Sequence, residues 1–179
     1  MALAYLGHHP LDGAVMDQLP GLRVIANFGV GFDAIDVPAA TARGITVTNT
    51  PEVLNDDVAD LAVALLIAEN RRLNGAEGWL RAGRWAQGGD YPLARKMSGR
   101  RVGILGLGRI GREIADRLAA FKCELHYFSR SEKPTPGWTW HADPVALARA
   151  VDDLVVAVVG GPDTQGLVSA EVIAALGPD

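Results

Sequence analysis

Residues 101–111 constrain this chain more than any other stretch. Val102 to Leu105 is a short apolar run that reads as a buried strand, and Gly106-Leu107-Gly108-Arg109-Ile110-Gly111 then fits Gly-x-Gly-x-x-Gly ahead of a segment with helical spacing. Gly106 permits a tight turn, Gly108 has no side chain to hold the backbone away from a diphosphate, and Gly111 lets the new helix lie close on the strand. The helix start offers N–H groups and a partial positive charge to phosphates. A glycine pattern alone is a weak signal. A strand before it and a helix after it make 106–111 a dinucleotide-binding turn.

Composition narrows the remaining classes. With 179 residues, 49% hydrophobic and 21% charged, the chain reads as one soluble globular domain or two small ones. A formal net charge of −4 and the lack of a basic block argue against a nucleic-acid partner. The longest apolar run, 58–68, is broken by Asp60 and too short for a bilayer core of about 30 Å, so no membrane partner is expected. No charged-then-apolar leader opens the sequence, which gives a cytoplasmic expectation. The single cysteine, Cys123, allows no internal disulfide and no cysteine-based metal cluster, and reads as packing filler. His8 and His9 are neighbours that share no face of a strand or helix, so they read as loop residues, and no metal is expected.

In chain order, strand signals at 2–6, 23–27 and 45–48 alternate with helical ones at 12–19 and 37–43, which implies a parallel sheet. The turn Phe28-Gly29-Val30-Gly31-Phe32-Asp33 follows the second strand, and its two glycines can aim successive N–H groups into one concavity suited to a carboxylate or phosphate. Asn55 reads as a helix cap, with Asp56 and Asp57 favoured by the helix dipole. Residues 58–68 are so apolar that the helix is expected to be covered nearly all round, with Arg71 and Arg72 closing it and Gly75 just beyond. The segment 76–91, with Trp79 and Trp85, reads as a connecting helix and an arm packed on another domain or subunit. A composition break over 91–99 places the boundary near Met97, giving domains 1–96 and 97–179. The second domain continues with a helix at 109–120, a strand at 124–128 holding His126, and a Pro-rich loop at 131–140. A helix at 143–151, an apolar strand at 154–159 expected to be buried on both faces, and a helix at 169–176 follow.

At the tip of the second strand of a dinucleotide fold, an acid would bind the ribose 2′-hydroxyl of NAD. Ser129-Arg130-Ser131 stands there instead. A guanidinium can grip a 2′-phosphate through two charge-assisted hydrogen bonds, so NADP is expected over NAD. Ligands of open α/β sheets lie beyond the carboxyl ends of the strands, which selects Gly160, Gly161 and Thr164 and, in the first part, the 29–31 turn as walls of a cleft.

Asn-Phe-Gly-Val-Gly-Phe-Asp at 27–33, Val-Thr-Asn-Thr-Pro at 47–51, Asn-Asp-Asp-Val-Ala-Asp at 55–60 and the glycine stretch at 99–111 together closely resemble the D-2-hydroxyacid dehydrogenases. Ser129-Arg130-Ser131 and Gly160-Gly161 make the likeness strongest to the NADPH-preferring glyoxylate and hydroxypyruvate reductases. The resemblance implies an incomplete Rossmann-type domain preceded by part of a flavodoxin-like substrate-binding domain. It also implies that the Val30 and Gly31 amides hold the substrate carboxylate, that the 107–110 loop cradles the diphosphate, and that Ser129, Arg130 and Ser131 form the 2′-phosphate site. Val159, Gly160 and Thr164 match the wall near the cofactor, although Val159 replaces the proline usual there. The arm around Trp79 and Trp85 matches a region that helps form homodimers.

The family's arginine, histidine and glutamate, which polarise a keto group and protonate an alkoxide, match no position here, and the likeness implies that they follow 175–179. An earlier strand and helix before Ala2 also lack a counterpart. The expectation is therefore the middle of a longer reductase of small 2-oxoacids, poorly stable by itself. A catalytically inactive NADP-binding module, comparable to the corepressor members of the same superfamily, is the second reading. A methyl donor-binding fold is a third, against which Arg130 argues.

Overall fold

A computed structural model describes residues 1–178. The chain is α/β with parallel sheets, as expected, and divides by contact into two compact units, Met1–Leu54 and Asn55–Asp179. In the first unit, strands β1 (Ala2–Tyr5), β2 (Val24–Asn27) and β3 (Thr46–Thr48) pair in parallel in the order β1-β2-β3. The two helices between them, α1 (Gly13–Asp17) and α2 (Val37–Ala42), start at aspartates whose carboxylates accept from the third residue on: Asp12 from Val15 N at 3.0 Å and Asp36 from Ala39 N at 2.9 Å. Their inner faces close over Ile25, with Met16, Ile35, Ala40 and Ile45.

The second unit opens with α3 (Asn55–Asn70) and α4 (Leu73–Arg81). Then come β4 (Arg101–Leu105), α5 (Arg109–Ala120), β5 (Glu124–Phe128), β6 (Thr139–His141), α6 (Pro144–Ala150), β7 (Asp153–Val156), a single 3-10 turn at Pro162–Thr164 and α7 (Ala170–Leu176). All pairings are parallel, in the order β6-β5-β4-β7. Strand β4 is covered on both faces. Val102 and Ile104 meet α3, α5 and β5 through Ala59, Ile114, Leu118 and Tyr127, whereas Leu105 faces Leu147 and Val151 on the α6 side. The intervening Gly103 is needed there, since a Cβ on it would lie 3.1 Å from Leu147, Val151 and Leu154.

The contact division differs in place from the composition break, and four other expectations from the sequence need correction. By contact the chain divides between Leu54 and Asn55, whereas the composition break lies near Met97; α3 packs on α5 through Ala59 and Val63 and is tied to it by Arg117, whose guanidinium donates to Asp56 and Asp60 at 2.6 Å each. Helix α3 is not covered all round: its small residues meet α5, while Leu61 and Leu65 on the outer side are 60% and 62% exposed in this chain. Strand β7 is shorter than 154–159 and is not buried on both faces. It is the outer neighbour of β4, and Val156 is half exposed. Within the supposed Pro-rich loop, 139–141 forms β6, which pairs His126 with Thr139 and Phe128 with His141. Gly75, read as lying past a helix end, sits inside α4, and its missing side chain makes room for the Tyr91 ring. The chain breaks instead at Arg72, which adopts a left-handed conformation with φ 51°.

Two polar clusters pin the sheet. At the start of β4 and β7, Arg100 Nε donates to Asp153 Oδ2 at 2.5 Å, and the buried Asn70 amide donates to Asp153 Oδ1 at 3.1 Å. At the β5–β6 edge, His126 Nδ1 and His141 Nε2 are 3.0 Å apart, with Glu124 Oε1 3.2 Å from His126 Nε2. Burial, and then the facing His126, hold the His141 imidazole below its ordinary value of 6.5. An imidazole that protonates less readily folded than unfolded contributes stability that is whole above the unfolded value and is lost as pH falls through the folded one. The melting temperature should therefore drop as pH is lowered below 6.5, and His141→Gln should flatten that part of the profile in thermal melts monitored by circular dichroism. The buried Tyr127 hydroxyl donates to Lys133 O at 3.0 Å and accepts from Lys133 N at 2.9 Å. Tyr127→Phe removes both bonds and should lower the unfolding free energy by about 1 to 2 kcal/mol in urea titrations.

Candidate functional site

The sequence-predicted residues fall in both units, and each group stands on its own geometry. In the first unit, the loop after β2 is shaped by two asparagines. Asn27, buried at the end of β2, donates through Nδ2 to Gly31 O at 2.8 Å and Gly29 O at 3.1 Å. Asn49, just past β3, donates to Val30 O at 2.9 Å, and Thr50 N donates to Gly29 O at 3.0 Å. Three successive carbonyls are thus drawn toward the sheet. In a planar trans peptide the next N–H points the opposite way, so the amides of Val30, Gly31 and Phe32 turn outward. Among the described residues neither the Val30 nor the Gly31 amide meets an acceptor. Adjacent outward N–H groups form an anion-binding concavity that reads no side chain. The sequence reading passed over both asparagines as site residues: Asn27 carries a signal, an asparagine at a strand end ahead of Gly29 and Gly31, whereas Asn49, followed by Thr50 and Pro51, carries none of that kind.

In the second unit, three loops meet at the carboxyl edge of the parallel sheet. The first is 106–111. Gly106 has φ 103°, and a Cβ on it would lie 2.6 Å from Ala157 O and 2.7 Å from Val158 Cγ1. A Cβ on Gly111 would lie only 2.1 Å from Gly106 O, so glycine is what allows α5 to start this close to the turn. Gly108 differs from both: nothing lies within 4 Å of where its Cβ would be, it is exposed, and as the N-cap of α5 it supplies no side-chain acceptor to the helix N–H groups. Its space is open toward solvent, as the close approach of a diphosphate requires. Leu107 points its side chain into the core, so only its backbone faces this loop, while Ile110 packs on the same core and Arg109 is exposed.

The second loop is 129–131, beside the first, since Gly106 N donates to Phe128 O at 3.0 Å. Ser129 is buried and its hydroxyl donates to Ser131 O at 2.6 Å, so this side chain shapes the turn and leaves Arg130 and Ser131 exposed. Aromatic residues fix the turn from below. Trp140 Nε1 donates to Ser129 O at 3.1 Å, and Tyr127 holds Lys133. From α5, Arg112 stacks 4.9 Å over the Trp138 ring and donates to Pro134 O at 2.5 Å. None of these four supports was read from the sequence, because Trp138 and Trp140 looked like loop residues.

The third loop follows β7. Ala157 N donates to Leu105 O at 2.8 Å, and Thr164 Oγ1 lies 2.6 Å from Val159 O, closing the loop around Gly160 and Gly161. Val159 is 78% exposed and Gly160 is exposed. The order β6-β5-β4-β7 places β5 on one side of β4 and β7 on the other, so the loops after β4 and β7 flank the point where chain progression reverses. Glycine 106–111 lies at that point.

Comparisons with known proteins show which family shares this fold. Hydroxyphenylpyruvate reductase of Plectranthus scutellarioides is 47% identical over 167 residues, covering 93% of this chain and 53% of that protein. Glyoxylate/hydroxypyruvate reductase A of Arabidopsis thaliana is 44% identical over 166 residues, covering 93% and 53%. Among solved structures, a 2-hydroxyacid dehydrogenase from Ketogulonicigenium vulgare Y25 superposes with a TM-score of 0.91 at 47% identity, over 98% of this chain and 56% of that one. An NADPH-dependent glyoxylate/hydroxypyruvate reductase from Sinorhizobium meliloti, solved with NADP and malonate, gives 0.87 at 47% identity over 98% and 54%. The chain thus spans about half the length of these relatives. A family model described as D-isomer specific 2-hydroxyacid dehydrogenase, catalytic domain, matches residues 1–176, from the asparagine-held loop through the glycine turn to the last helix. The chain belongs to the D-isomer specific 2-hydroxyacid dehydrogenases.

Proposed function

We propose that this chain supplies the dinucleotide-holding unit and a substrate-carboxylate loop of an NADPH-dependent reductase that converts a small 2-oxoacid, of the glyoxylate or hydroxypyruvate type, to its 2-hydroxyacid. The observation that carries the reading is the glycine turn, where steric need at Gly106 and Gly111 comes together with open space at Gly108. NADPH, when bound, supplies the hydride. The residues of this chain bind and orient: the 107–110 backbone and the start of α5 take the diphosphate, and Arg130, with Ser131, takes the 2′-phosphate on a turn that Ser129 holds in shape. Val159, Gly160 and Thr164 wall the cofactor. The Val30 and Gly31 amides take the carboxylate of the substrate. The Sinorhizobium enzyme solved with NADP, and the reductases among the relatives, support both the cofactor and the substrate class. A homodimer fits the exposed apolar residues Leu61, Leu65, Leu80 and Trp85 of the second unit.

Arg130→Ala removes the one guanidinium of the 129–131 turn. A charge-assisted pair is worth roughly 1.5 to 3 kcal/mol, so NADPH affinity should fall about tenfold or more by calorimetry while NADH affinity stays the same; equal losses would remove Arg130 from the 2′-phosphate site. Adding glyoxylate or hydroxypyruvate to isotopically labelled protein should shift the Val30 and Gly31 amide resonances in a nitrogen–proton spectrum, and Asn49→Ala should weaken that response. Amides that stay still at saturating oxoacid would end the carboxylate assignment.

A further inference from the structure

At the opposite, amino-terminal edge of the second sheet, a cleft of about 380 Å³ is lined by Arg95, Arg100, Arg101 and Arg149 together with Asp152 and Leu176. Four arginines line it from three places: Arg100 and Arg101 at the strand start, Arg149 in the last turn of α6, and Arg95 in the segment leading to β4. Two carboxylates face them, and every oxygen of both is engaged. Asp152 gives Oδ1 to Arg101 Nη2 at 2.5 Å and Oδ2 to Arg101 N at 2.9 Å. Asp153 gives Oδ2 to Arg100 Nε at 2.5 Å and Oδ1 to the Asn70 amide at 3.1 Å. The Arg101 guanidinium, and less strongly Arg100, hold the Asp152 carboxyl below the usual carboxylate range.

Arg95 and Arg149 then have no carboxylate partner among the described residues. Among the described residues the cleft carries two arginines beyond those its aspartates engage, and Arg95 is half-buried, where water screens like charge less than at the open surface. A paired arginine fork is also the geometry that suits phosphate or carboxylate oxygens in bidentate contact. We propose that this cleft is a second anion site, distinct from the glycine turn at the other end of the same strands, and that it takes a small polyanion bearing at least two phosphate or carboxylate groups. Arg95 and Arg149 bind it, and Arg100 and Arg101, fixed by their aspartates, form its floor. The inference does not depend on the cofactor reading.

The test is calorimetric titration of the chain at constant ionic strength with two probes, inorganic pyrophosphate and citrate, which separate phosphoryl from carboxylate preference. Pyrophosphate could also occupy the glycine turn, so the site is assigned by variants. Saturable binding weakened at least about tenfold by Arg95→Gln with Arg149→Gln, and unchanged by Gly108→Asp, which sets a carboxylate in the open space of the glycine turn, is the expected result, with far-ultraviolet circular dichroism and an unchanged melting temperature showing that the double variant folds. Binding lost only in Gly108→Asp, binding indifferent to all three changes, or no saturable binding of either probe would overturn the proposal. If the double variant fails to fold, Arg149→Gln alone, at an exposed position, carries the same comparison.

Discussion

The contact on which the second unit depends is between two pieces of backbone. The carbonyl oxygen of Gly106 occupies the space that any side chain at residue 111 would need, and a side chain on Gly106 would itself collide with Ala157 O and Val158. These contacts set how near α5 begins to the end of β4, and with it where the first N–H groups of the helix point. They also bind the loop after β7 to the loop after β4, since Ala157 N donates to Leu105 O. The cost of such close packing is met elsewhere, by a central strand covered on both faces and by helices locked to one another through Arg117. The placement of the first helix N–H groups is a by-product of backbone geometry, and Gly108 is the one glycine of the three whose neighbours in the protein do not demand it.

The first unit arrives at a similar chemical result by another route. Its loop has no long helix behind it. Side-chain amides of Asn27 and Asn49 pull three carbonyls one way and thereby set three N–H groups the other way. An asparagine can do this because its amide is a double donor, and an aspartate at either position would instead repel the carbonyls it faces.

How much of this was legible in the sequence follows from the range of each interaction. The glycine turn was readable because its requirements are local: each glycine answers to atoms within a few residues or to the adjacent strand. Helix starts at Asp12, Asp36, Asp143 and Ser169 were readable for the same reason, since the acceptor lies three residues from the amide it caps. Exposure was not readable. Residues 58–68 and 154–159 are apolar enough to suggest full burial, yet Leu61, Leu65 and Val159 lie at the surface of this chain, because composition records how apolar a segment is and not what lies against it. Strand β6 was missed since three residues amid prolines carry no periodic signal, and it forms through pairing with β5. The supports of the 129–131 turn were missed with it.

That turn has a consequence for redesign. Its three residues look like a portable cassette, but their posture is fixed by anchors outside the cassette: the indole of Trp140 on a three-residue outer strand, the phenol of Tyr127 on Lys133, and the Arg112 side chain lying on Trp138. Grafting Ser-Arg-Ser onto a relative that lacks those aromatic struts would transfer the charge without its aim. The posture of the turn is accordingly a property of a small scaffold of rings and main chain, and the tripeptide is only its tip.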